Sequence, residues 1–108
     1  MKTVDVAAAN DLSIGSMHSF QVEGKKVLVA NVDGKYYAIN GLCTHMGGDL
    51  SKGKLEGHII TCPVHSSQFD VTTGESILGP KIVFLRLKTN PEPVYEVKVE
   101  GGRILVTI

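Results

Sequence analysis

The sequence predicts an all-β fold, an antiparallel sandwich or barrel, on three observations. Apolar residues recur in short alternating runs, the period of strands with one face buried. The pairs Glu23-Gly24, Asp33-Gly34 and Gly101-Gly102 sit between such runs, and each supplies the positive φ that a tight hairpin needs. No segment keeps a helical period beyond a single turn.

Taken in order, a strand is expected over 3–6, then a single helical turn within 7–12. Strands over 17–22 and 26–32 flank Glu23-Gly24, and one over 35–39 follows Asp33-Gly34. Within the second of these, Val27-Leu28-Val29-Ala30-Asn31-Val32 is almost continuously apolar, which suggests burial on both faces. Short strands are expected over 58–61 and 68–70, and a longer one over 83–88. Gly79-Pro80 and Pro91-Glu92-Pro93 read as loops. The strands over 94–99 and 103–108 flank Gly101-Gly102, and their alternation suits a half-solvated sheet. Residues 41 to about 80 interrupt the pattern with seven glycines and both cysteines. The expected organisation is one domain over 1–108: a β base of about 1–40 and 81–108 with a small metal-binding subdomain inserted at about 41–80.

At 108 residues the chain can bury roughly two-thirds of its unfolded surface. Its 43% hydrophobic and 20% charged content is that of an ordinary globular protein. Eleven basic and eleven acidic residues are spread along the chain without a basic stripe, so nucleic acid is not an expected partner. The first residues read as a strand rather than a secretory leader, and no apolar run approaches the ~18 residues of a membrane span. A cytoplasmic location without membrane contact is expected, and in that reducing compartment a disulfide is not.

Two cysteine–histidine pairs concentrate the chemistry: Cys43-Thr44-His45 and Cys62-Pro63-Val64-His65, with sixteen residues between His45 and Cys62. They use both cysteines of the chain, and thiolate with imidazole is a metal-binding combination. Three readings apply: a tetrahedral Cys2His2 structural zinc site, an iron–sulfur centre of mixed ligation, or core cysteines with surface histidines. The last suits an isolated pair better than two matched ones. Common zinc fingers pair cysteine with cysteine and histidine with histidine around a helix. One of each per loop lets two facing loops clamp two irons, which favours a diiron centre over one zinc.

The segment Cys43-Thr44-His45-Met46-Gly47-Gly48-Asp49-Leu50, followed by Cys62-Pro63-Val64-His65-Ser66-Ser67-Gln68-Phe69-Asp70, resembles a Rieske [2Fe–2S] domain. Thr73-Gly74-Glu75 and Gly79-Pro80 match the same family's pattern downstream. The resemblance implies that Cys43 and Cys62 hold an inner iron and His45 and His65 an outer one. It implies that glycines 41, 47 and 48 let backbone N–H groups approach the sulfurs, that a loop containing Pro80 covers the cluster, and that Met46 shields it. High-potential members carry two further cysteines that form a disulfide; Gly48 and Val64 occupy those positions here. Ser67 aligns with a serine that bonds a bridging sulfide, and Phe69 with a tyrosine whose hydroxyl is lost. Mixed-ligand centres span about −150 to +300 mV, against about −400 mV for plant-type ferredoxins. The resemblance therefore implies a low-to-middle potential.

The function implied is a one-electron carrier with one [2Fe–2S] cluster, not an enzyme in itself. It would take electrons from a flavin-type reductase and pass them to an oxygenase or other redox enzyme. A small Rieske subunit of a nitrite-reductase-like oxidoreductase is the alternative, and a structural zinc module the lesser one. A terminal oxygenase would also need a mononuclear iron held by two histidines and a carboxylate. Only His18 and His58 remain for that, and both read as ordinary surface or half-buried residues. Asp49, Lys52 and Lys54 read as solvated loop charges, and Tyr36, Tyr37 and Phe84 as core or sheet residues.

Overall fold

A computed structural model of the chain describes residues 2–43, 48–64, 66–78, 81–82, 85–86 and 91–108. Of the candidate residues, His45, Met46, Gly47, His65, Pro80 and Phe84 lie outside the described residues.

The fold is all-β and antiparallel. Strands β1 (Thr3–Ala8), β2 (Met17–Val22), β3 (Lys25–Val32), β4 (Lys35–Asn40), β11 (Val94–Glu100) and β12 (Arg103–Thr107) form one sheet. Its order is β1-β12-β11-β4-β3-β2, and the two end strands approach each other, so the sheet curls towards a barrel. A second sheet, in chain order, comprises β5 (Lys54–Glu56), β6 (Ile59–Thr61), β7 (Gln68–Asp70) and β8 (Ser76–Leu78).

The three two-residue turns build the large sheet. Glu23 and Gly24 have φ of 52° and 78°, Asp33 and Gly34 of 53° and 92°, and Gly101 and Gly102 of 57° and 76°. Two successive positive φ values match the twist of the flanking strands and close Val22↔Lys25, Val32↔Lys35 and Glu100↔Arg103. The turn expected within 7–12 is a 3-10 turn at Ala9–Asp11, because β1 continues to Ala8 before the chain bends.

The near-continuous apolar run is explained by two cores on opposite faces of β3. Leu28 and Ala30 enter one core with Ile39, Cys43, Leu50, Ile60, Cys62, Phe69 and Val71. Val27 and Val29 enter the other with Leu12, Val22, Ala38, Ile104 and Val106. Each Val, Leu, Ile or Phe side chain among them, removed from water, contributes roughly 1.5–3 kcal/mol. In β11 half-buried Tyr95 and Val97 alternate with exposed neighbours, and in β12 buried Ile104 and Val106 alternate with half-buried Leu105 and Thr107.

Of the strand expected over 83–88, the described part is β10 (Leu85–Arg86), which pairs antiparallel with β9 (Lys81–Ile82), and the rest lies outside the described residues. β5, β8 and the 3-10 turn at Leu50–Lys52 are further elements that the sequence reading lacked. Each is three residues long, too short for alternation to register.

Candidate metal centre

Cys43 and Cys62 lie together in the core between the two sheets, 4% and 1% exposed. Each sits at the end of a short arm. After β4 the chain turns at Gly41, whose amide donates to the Lys26 carbonyl at 2.8 Å. An isolated bridge then pairs Leu42 with Asp49, and the Cys43 amide donates to the Gly48 carbonyl at 2.8 Å. The second arm leaves β6 at Cys62, whose amide donates to the Ser67 carbonyl at 2.7 Å. Both thiols are therefore fixed from the backbone outward.

Gly48 is where the arms meet. A Cβ there would lie 2.9 Å from Cys62 Sγ and 3.0 Å from Val64 Cγ2, closer than packed side chains tolerate. The absence of a side chain at 48 thus leaves room for the Cys62 sulfur. Gly41 plays a different part from the one expected: its amide is spent on Lys26, not aimed at a sulfur, and a Cβ there would meet Lys26 Cγ at 2.9 Å. The expected sulfur contact is instead made by Val64, whose N–H points at Cys62 Sγ at 3.4 Å.

Burial pushes the Cys62 thiol up to about 11, and the neighbouring Cys43 and the buried Glu92 add to it against the Val64 N–H bond. Two thiolates side by side in an apolar pocket repel each other and lack solvation. A bound cation reverses that balance by replacing both protons. The donor set is therefore chemically suited to a thiophilic metal.

Ser67 supplies a second indication. It is fully buried, and its hydroxyl has no hydrogen-bond partner among the described residues. Leaving a buried hydroxyl unmatched costs roughly 1–3 kcal/mol. An inorganic sulfide beside the thiols would accept that proton, so the described residues fit a sulfide-containing cluster. Phe69, also fully buried, pairs with Ile60 across β6 and β7 and lines the same core.

Asp49 is not a solvated charge. It is half-buried, accepts from the Ser51 amide at 3.0 Å and hydroxyl at 2.6 Å, and receives Lys26 Nζ at 2.8 Å. Burial alone would raise its carboxyl; the Lys26 and Ser51 bonds outweigh this and hold it below the ordinary carboxylate range. Lys52 and Lys54 are exposed, as expected. Tyr36 and Tyr37 are half-buried on β4. His18 is exposed, with its ring 4.9 Å from that of Phe20, and His58 is exposed with Nδ1 3.2 Å from Asp70. Glu92, read only as part of a proline loop, is 3% exposed, and its amide donates to the Gly74 carbonyl at 2.7 Å. Among the described residues, no helix is long and apolar enough to cross a membrane.

Residues 2–91 match the Rieske [2Fe-2S] domain family. Across 107 residues the chain is 37% identical to the ferredoxin component of the naphthalene 1,2-dioxygenase system of Pseudomonas aeruginosa, covering 99% of this chain and 96% of that one. Two solved structures are similar. One is the ferredoxin of carbazole 1,9a-dioxygenase from Nocardioides aromaticivorans IC177, at 33% identity and a TM-score of 0.82, covering 98% of this chain and 97% of that one. The other is a chain of the complex of reduced oxygenase and oxidized ferredoxin in carbazole 1,9a-dioxygenase, at 33% identity and a TM-score of 0.84, covering 96% and 91%.

Proposed function

Because the chain belongs to the Rieske [2Fe-2S] domain family, we propose that it is the ferredoxin component of a multi-component oxygenase system, carrying one electron at a time on one [2Fe–2S] cluster. The observation that carries this reading is the meeting of two buried thiols at the side-chain-free position Gly48, with Ser67 tied to the Cys62 backbone and its buried hydroxyl unmatched among the described residues. The similarity to ferredoxin components along nearly the whole of both chains supports it.

In this reading Cys43 and Cys62 would hold one iron, and His45 and His65 the other. When bound, the cluster supplies reversible one-electron storage at a potential above that of all-cysteine centres. The protein's own residues do the rest. The buried cysteine arms keep water from the sulfurs, the Val64 N–H offsets charge on Cys62, and Ser67 would donate towards a bound sulfide. By resemblance to the family, Met46, Gly47 and Pro80 would join Gly48 and Phe69 around the cluster.

The organisation proposed is a β base of about 1–40 and 81–108 carrying a cluster-binding subdomain of about 41–80. The acceptor is an oxygenase, as the carbazole dioxygenase complex suggests by similarity. The donor is a flavin-type reductase, and the setting is the cytoplasm. The chain carries electrons and does not itself transform a substrate. The test is metal and acid-labile sulfide analysis of purified protein with a redox titration. Two irons and two sulfides per chain with a one-electron wave are expected; one zinc without sulfide would replace this reading with a structural site.

A further inference from the structure

The Lys26–Asp49 ion pair links the cysteine arm to the large sheet. Nζ and Oδ2 are 2.8 Å apart, with side chains 28% and 20% exposed. Lys26 belongs to β3, and its carbonyl also takes the Gly41 amide, while its stem lies against Gly41. Asp49 adjoins Gly48, which accepts the Cys43 amide and abuts Cys62 Sγ. Across the bridge Asp49 faces Leu42, the residue before Cys43. Its other carboxylate oxygen holds Ser51. Both residues of the pair thus hold backbone that leads into the cysteines, Lys26 through Gly41 and Asp49 through Gly48 and Leu42.

We propose that Lys26 and Asp49 are positioning residues that act on the cluster as a balanced charge pair, pinning the Cys43 arm to β3 and setting the electron affinity through two opposed fields. This rests on the cluster reading above. A half-buried charge is weakly screened, so it acts on an electron added nearby. A cation favours the reduced form and raises the potential; an anion does the reverse. While paired, the two cancel in large part. Removing one partner leaves the other both unmatched and uncompensated.

The signs separate this role from a merely structural one. Lys26→Met leaves the Asp49 charge and is expected to lower the potential. Asp49→Asn leaves the Lys26 charge, keeps an oxygen for Ser51, and is expected to raise it. Each is expected to change the reduction equilibrium by about threefold or more, that is about 28 mV at 59 mV per tenfold for one electron. The double variant is expected to return towards the wild-type value, and Lys26→Arg to keep it. Single shifts of the same sign, or no shifts, would overturn the proposal.

Where a single variant fails to hold its cluster, the double decides. Recovery of the colour in Lys26→Met with Asp49→Asn supports the pairing, and continued loss overturns it. A wild-type protein without iron or sulfide would instead sink the cluster reading itself. Same-sign shifts in fully loaded proteins would sink the charge-pair inference alone.

Discussion

Ser67 and Phe69 are two residues apart, both fully buried beside the cysteines, and they differ in what they can offer a sulfur. The serine has a proton to give and no described residue to receive it. The phenylalanine has none. A hydrogen bond that strengthens by ~1 kcal/mol on reduction is worth roughly 40 mV for one electron. Redox titration of Ser67→Ala is therefore expected to lower the potential by that order, and Phe69→Tyr to raise it. A potential unmoved in both would show that neither position reaches the sulfurs. The cysteine–histidine pairs were legible in the sequence because their residue types and spacing carry the chemistry. Lys26, Asp49 and Glu92 were not. Nothing in a lysine at the start of a strand, or in an aspartate in a glycine-rich loop, says that tertiary folding will bring them within 2.8 Å. Glu92 between two prolines looks like solvent-facing loop until the Gly74 contact buries it.

The turn from β7 to β8 shows how one element is held. Asp70 accepts from the Thr72 amide at 2.9 Å and hydroxyl at 2.6 Å and faces His58 at 3.2 Å. Burial would raise its carboxyl, but the Thr72 and His58 bonds outweigh it and hold it below the ordinary value of 3.8. A carboxyl depressed on folding stabilises the fold above its unfolded pKa and loses that contribution as pH falls through the folded one. The stability gap between wild type and Asp70→Asn is thus expected to be full at neutral pH and to close in acid as pH falls through the folded pKa, below 3.8. A gap unchanged by denaturation in acid would contradict the assignment. Gly74, in the same turn, has φ of +77°, and a Cβ there would strike the Glu92 carbonyl. Gly57 has φ of +62° but open space around it. Gly57→Ala should cost about 1–2 kcal/mol, the left-handed strain alone, and Gly74→Ala should cost more by chemical denaturation. Equal costs would mean that the Gly74–Glu92 contact is slack. The paired-residue hairpins were legible because Asp-Gly and Gly-Gly turns name their own geometry. The three-residue strands of the small sheet were not, since their pairing is set by partners and not by period.

Across the whole molecule the two cores divide the labour. The barrel core on one face of β3 gives a rigid body, and the core on the other face encloses the cysteines between two sheets. That arrangement buries the two thiols side by side, and burial makes Cys62 a poor free acid, a state that binding a metal relieves. The burial of β3 on both faces was legible in its apolar run. That its two faces serve different cores was not, because alternation within a uniformly apolar strand is silent. The account stands on a two-iron centre held by two thiolates and two imidazoles. Its most direct test is pulsed electron paramagnetic resonance of the reduced protein, grown with and without ¹⁵N-histidine. Two histidine nitrogens coupled to the unpaired electron, both altered by the label, are predicted; a reduced cluster blind to the label, or no paramagnetic cluster, would contradict it.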